Sequence, residues 1–164
     1  MISKYNLEML NGSKQSMEMK TPIRRSMTVE SKVSEIEEEC RWILSQLEAN
    51  EFSSEDIFAV HLSLEEAFIN AVKHGNQMDG SKAIKIDYSV EAEKIEICMT
   101  DEGAGFEPAE VPDPREEENL YKTGGRGLFL MRAYMDVIEF NETGNSVRMV
   151  KNRSKKPKVR SASG

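Results

Sequence analysis

Between residues 31 and 50 the chain spaces Val33, Ile36, Cys40, Ile43, Leu44 and Leu47 three and four positions apart. That spacing predicts a helix with one apolar stripe, capped by Ser31 or Ser34, with the Glu37-Glu38-Glu39 run turned mostly to solvent. Ser53-Ser54-Glu55-Asp56 predicts a second helix start, because polar caps and first-turn acids suit the positive end of a helix. This helix carries Ile57, Val60, Leu64, Ala67, Phe68 and Ala71 inward, and Gly75-Asn76 is expected to end it, with glycine in a left-handed cap. The hydrophobic period then changes from about 3.6 to 2. Ile84, Ile86, Tyr88 and Val90 alternate, a short turn follows near Glu91-Ala92-Glu93, and Ile95, Ile97 and Met99 alternate into Asp101. This is an antiparallel hairpin. Leu128 to Met135 predicts a third helix. Val137, Glu139, Val147 and Met149 around Thr143-Gly144-Asn145 predict a closing hairpin. An imperfect alternation over Met19 to Val29, at Ile23, Met27 and Val29, predicts a first strand.

The order of elements predicts an α/β two-layer sandwich (α+β), a mostly antiparallel mixed sheet with helices on one face. One folded domain is expected over residues 19–151, between a flexible N-terminal tail over 1–18 and a basic flexible tail over 152–164. From Lys151 onward the chain carries Arg153, Lys155, Lys156, Lys158 and Arg160 without an acid. No aromatic is interleaved, so a solvated tail is expected rather than a nucleic-acid arm. Residues 102–123 form a long connection with Pro108, Pro112, Pro114 and the acids Glu116-Glu117-Glu118. Loops longer than ~12–15 residues inside a domain are usually lids or disordered, and this one joins two glycine motifs, as a lid would.

Composition narrows the function. The 164 residues carry a net charge of −7, which argues against nonspecific binding to a phosphate backbone. Cys40 and Cys98 stand far apart with no Cys/His cluster, so a metal–thiolate site is not expected, and two free thiols suit the cytoplasm. No apolar run approaches the ~20 residues of a membrane span, and the N-terminus lacks a secretory pattern.

Three motifs carry the candidate chemistry. In Glu66-Ala67-Phe68-Ile69-Asn70-Ala71-Val72-Lys73-His74, the acid and the amide stand four apart on one helix face, and His74 continues the line. Asn70 offers a neutral oxygen to Mg2+, and Glu66 can accept a proton from an alcohol or a water. Taken alone this is equally a polar edge beside an apolar stripe, and His74 a helix-end histidine. Asp101-Glu102-Gly103-Ala104-Gly105 ends a strand. Its carboxylate can accept from an adenine amino group, and Gly103 and Gly105 let the backbone turn and approach a flat base. Taken alone it is an ordinary Asp/Gly turn. Gly124-Gly125-Arg126-Gly127-Leu128 opens a helix whose exposed N–H groups and dipole suit phosphates, with Arg126 adding a forked cation. No P-loop pattern is present.

In this order the motifs resemble the GHKL ATPase superfamily, which includes gyrase, histidine kinases and MutL. Glu66–His74 resembles its N box, Asp101–Gly105 its first glycine box and Gly125–Leu128 its second. The stretches Leu64–Ala71 and Gly127–Met131, followed by Met135-Asp136, look closest to bacterial anti-sigma factors that are also serine protein kinases. The resemblance implies a Bergerat-type ATP-binding fold over residues 20–151. It also implies Mg2+ on Asn70, Glu66 as general base, Asp101 on adenine, and the glycines with the lid on the phosphates. It implies a sigma factor and a small antagonist, phosphorylated on serine, as partners of a homodimer. The alternative is a nonenzymatic ATP-binding module that sequesters a regulatory protein. Lys122-Thr123-Gly124 stands where the family often carries a charged residue before its second glycine box, so Lys122 or Arg126 would neutralise the γ-phosphate.

Overall fold

The computed structural model describes residues 21–105 and 125–155. Residues 1–20, residues 106–124 (most of the connection over 102–123 expected as a lid, with Lys122, and Gly124) and residues 156–164 lie outside the described residues. Among the described residues the chain runs β1 (Ile23–Glu30), α1 (Glu37–Ala49), α2 (Ser54–Asn70), β2 (Ala83–Val90), β3 (Lys94–Asp101), α3 (Gly125–Tyr134), β4 (Val137–Phe140) and β5 (Ser146–Asn152). The strands form one sheet in the order β1-β2-β3-β5-β4. Every pairing is antiparallel, so no parallel pair makes the sheet mixed among the described residues. Short turns join β2 to β3 and β4 to β5, and a short turn can only reverse the chain.

The period-2 pattern lands where it was expected. Ile84, Ile86, Tyr88 and Val90 of β2, Ile95, Ile97 and Met99 of β3, and Val147 and Met149 of β5 are all buried. Ile43 and Leu47 of α1, Val60, Leu64 and Phe68 of α2, and Met131 of α3 join them in one core. The other sheet face is polar, with Lys85 paired to Asp87 at 2.9 Å and Arg148 to Glu96 at 2.9 Å.

The start of α1 differs from the expectation. A 3-10 turn over Val33–Ile36 precedes it, its N-cap is Ile36, and no side chain caps it. Neither Ser31 nor Ser34 is the cap, and Val33 is exposed. Glu39 is buried, because it stands three residues after Ile36 and one before Cys40 on the inward stripe. Its carboxylate accepts from the Tyr88 hydroxyl and lies 3.6 Å from Arg25 Nη1. Arg25 also lies 5.2 Å from the centre of the Trp42 ring, which fastens α1 to the β1 side of the sheet.

The start of α2 is as expected and stronger. Ser53 Oγ accepts from the Asp56 N–H (3.1 Å), and Asp56 accepts in return from the Ser53 N–H, which completes a capping box. Asp56 also accepts from the Ser154 N–H (2.8 Å) and hydroxyl (2.7 Å). Ordered contacts therefore run past residue 151: Asn152 closes β5, and Arg153 N–H donates to Glu93 O at 2.8 Å.

Candidate functional site

Glu66 and Asn70 stand half-buried at the C-terminal end of α2, and Asn70 is its last α-helical residue. The chain then widens into a π-turn over Ala71–Gly75, with the Asn76 N–H donating to Ala71 O at 2.7 Å. Such turns often occur at functional sites. Lys73 and His74 lie exposed on it.

The first turn of α3 packs against this end of α2. A Cβ on Gly127 would collide with Glu66 Oε2 and would lie 3.6 Å from Asn70 Nδ2. The second glycine motif is thus in contact with the acid and the amide, across some sixty residues of chain. Arg126 beside it is exposed, whereas Leu128 is buried and packs inward. Gly125 opens the helix.

The first glycine motif meets the π-turn. A Cβ on Gly75 would fall on the Asp101 carboxylate, 2.5 Å from Oδ1. This corrects the left-handed cap expected at Gly75. After the π-turn it is Gln77 (φ 55°) and Met78 (φ 62°) that are left-handed, and Gly75 is glycine because a carboxylate fills the place of its side chain. Gly103 is equally close to the Gly75 carbonyl, so its missing Cβ makes room for protein backbone. Gly105 does take a left-handed φ of 79°, and lies against the Thr143 carbonyl in the β4–β5 turn.

Asp101 is held on several sides. The Gly103 N–H donates to its Oδ1 (2.8 Å), its own N–H donates to Asn145 O (2.9 Å), and Asn145 Nδ2 donates to its carbonyl (3.2 Å). Burial raises the Asp101 carboxyl above its ordinary value, and the Gly103 N–H and nearby Lys82 only partly offset that. The result is a half-buried acceptor at the end of β3, suited to a polar edge of a flat ligand.

Sequence reasoning missed Gly75, Asn76 and Asn145 as parts of this site. Gly75-Asn76 follows His74 directly, which was the available signal, but it read as a helix stop. Asn145 read as a turn residue. Among the described residues no group of three or more His, Cys, Asp or Glu side chains could hold a metal ion. Mg2+ that keeps its waters and takes phosphate oxygens needs few protein ligands, so Asn70 remains a suitable one. Among the described residues no helix is long and apolar enough to cross a membrane.

The histidine kinase-like ATPase domain family matches residues 29–151. The chain is similar to the serine-protein kinase RsbW of Listeria monocytogenes, with 31% identity over 110 residues that cover 61% of this chain and 68% of that protein. It is similar to RsbW of Oceanobacillus iheyensis, with 32% identity over 96 residues that cover 55% of this chain and 61% of that one. Among solved structures, the RsbU and RsbW domains of a Mycobacterium tuberculosis protein match 80% of this chain at a TM-score of 0.48 and 14% identity. This chain spans 32% of that one.

Proposed function

Because this chain belongs to the histidine kinase-like ATPase domain family, we propose that it is an ATP-dependent serine protein kinase that acts as an anti-sigma factor. The relatives named serine-protein kinase support the kinase part of this reading. The observation that carries it is the seating of Gly127 on Glu66 and Asn70. That contact joins a proton acceptor, a neutral metal ligand and a helix start at one place.

The residues fit a nucleoside triphosphate. Asp101 accepts from the purine amino group. The N–H groups at the start of α3, from Gly125 to Gly127, would hold the phosphates, with Arg126 adding a cation. Asn70 would hold Mg2+, which when bound would supply charge neutralisation on the phosphates. Glu66 takes the proton from the serine hydroxyl of a partner protein. Positioning and charge carry most of phosphoryl transfer, so a small domain suffices.

In this reading the partner serine lies on a small antagonist, and its phosphorylation decides whether the antagonist or a sigma factor is held. The protein works in the cytoplasm as a homodimer. Incubation with γ-labelled ATP and candidate antagonists is the test. Label on a partner serine is expected. Tight ATP binding with no label on any bound partner would instead establish the nonenzymatic partner switch.

A further inference from the structure

We propose that Asn76 is a positioning residue that sets the Asp101 carboxylate for the purine amino group. This deepens, and rests on, the nucleotide reading above. Asn76 is completely buried, which for an amide demands partners for both ends. Its Nδ2 donates to the Ala83 carbonyl at the start of β2 (3.1 Å), and its Oδ1 accepts from the Glu102 N–H just past β3 (2.9 Å). Its own N–H closes the π-turn on Ala71 O (2.7 Å). One side chain therefore ties the end of the acid-and-amide helix to two strands.

The Glu102 amide adjoins Asp101, so anchoring it limits how the peptide after Asp101 can rotate. Gly75, one residue before Asn76, gives up its side-chain space to the Asp101 carboxylate. Gly103 lies against the Gly75 carbonyl. Residues 75 and 76 thus form a seat under residues 101–103, with one contact at the carboxylate, one at the next amide and one at the following glycine. The Glu102 carboxylate closes the loop by accepting from the Ala83 N–H, so Ala83 is held through both its backbone groups. Removing the Asn76 amide leaves the Glu102 N–H and the Ala83 carbonyl without their partner and leaves the peptide after Asp101 held at its carbonyl side alone, by Asn145.

The test compares ATP with purine riboside triphosphate, which lacks the amino group, by calorimetry on the full chain and on Asn76→Ala. The native chain should prefer ATP by about tenfold or more, the worth of one hydrogen bond to a charged acceptor. In Asn76→Ala, ATP binding should weaken about tenfold while the analogue changes less than about threefold, so the preference collapses. A native chain with no preference overturns Asp101 as base reader. A native preference that survives in Asn76→Ala, or equal weakening of both ligands, leaves that reading standing and overturns the role of Asn76. Hydrogen exchange on the native chain needs no variant. The Glu102 amide should exchange at least about tenfold more slowly than an unstructured amide, and unstructured-rate exchange overturns the anchor.

Discussion

Gly75 and Gly127 show what single residues decide here, since each is small because a carboxylate from another element occupies its side-chain space. At Gly127 that carboxylate belongs to Glu66, the proposed general base. Glu66→Ala should leave ATP affinity within about twofold and lower phosphoryl transfer by ~10²-fold or more, read by titration and by transfer of label. Transfer at the native rate would remove Glu66 from that role. At Gly75 the carboxylate is Asp101, whose carboxyl is raised by burial. A raised carboxyl means that the folded state holds its proton to higher pH than the unfolded chain does. Stability from this group is therefore full below the ordinary carboxylate range, falls as pH rises toward the raised value, and stays reduced above it. Asp101→Asn should flatten that part of the pH–stability curve and keep or raise the melting temperature at neutral pH. It should also abolish the preference for ATP over the analogue without the amino group. Denaturation series at several pH values, paired with calorimetry, measure both.

At the scale of elements, α2 is held at both ends by groups outside it. Its C-terminal end meets α3, the π-turn that follows meets Asp101, and its N-terminal end meets the chain just past β5. Burial pushes the Asp56 carboxyl up, but the hydrogen bonds from Ser154 and Ser53 together outweigh it and hold the group below its ordinary value. The stability this provides is present above the ordinary carboxylate range and is lost as pH falls through the lowered value. Asp56→Ala removes one half of a capping box and the anchor of Ser154, and should cost about 1–3 kcal/mol. Urea denaturation should show that loss at pH 7 and a smaller difference from the native chain in strong acid. The apolar stripe of α2 was legible because burial follows the 3.6 period. The caps of α1 were not, because a serine before a helix caps it only if the entering backbone aims its hydroxyl at the first turn. Here the chain enters through a 3-10 turn.

For the whole molecule, the bonds made by the chain just past β5 set where the domain ends. A chain of residues 19–155 should keep the melting temperature and ATP affinity of the full protein. One cut after residue 151 loses the bonds of Asn152, Arg153 and Ser154 to Asp136, Glu93 and Asp56. It should melt about 5 °C lower, at about 2–4 °C for each kcal/mol lost in a chain of this size. Scanning calorimetry of the two pieces decides it. The alternating strands, the sheet class, the start of α2 and the acid, amide and glycine motifs were all determined by the sequence itself. Each depends on side-chain period or on groups a few residues apart, and backbone geometry alone relates these. The tertiary structure decided which motif touches which: that Gly127 rests on Glu66 and Asn70, that Gly75 yields to Asp101, and that Asn76 is buried between β2 and β3. Those contacts join residues 7 to 61 positions apart, most of them 26 or more. No local period records them, because they exist only once helices and strands have packed and left a carboxylate no other space.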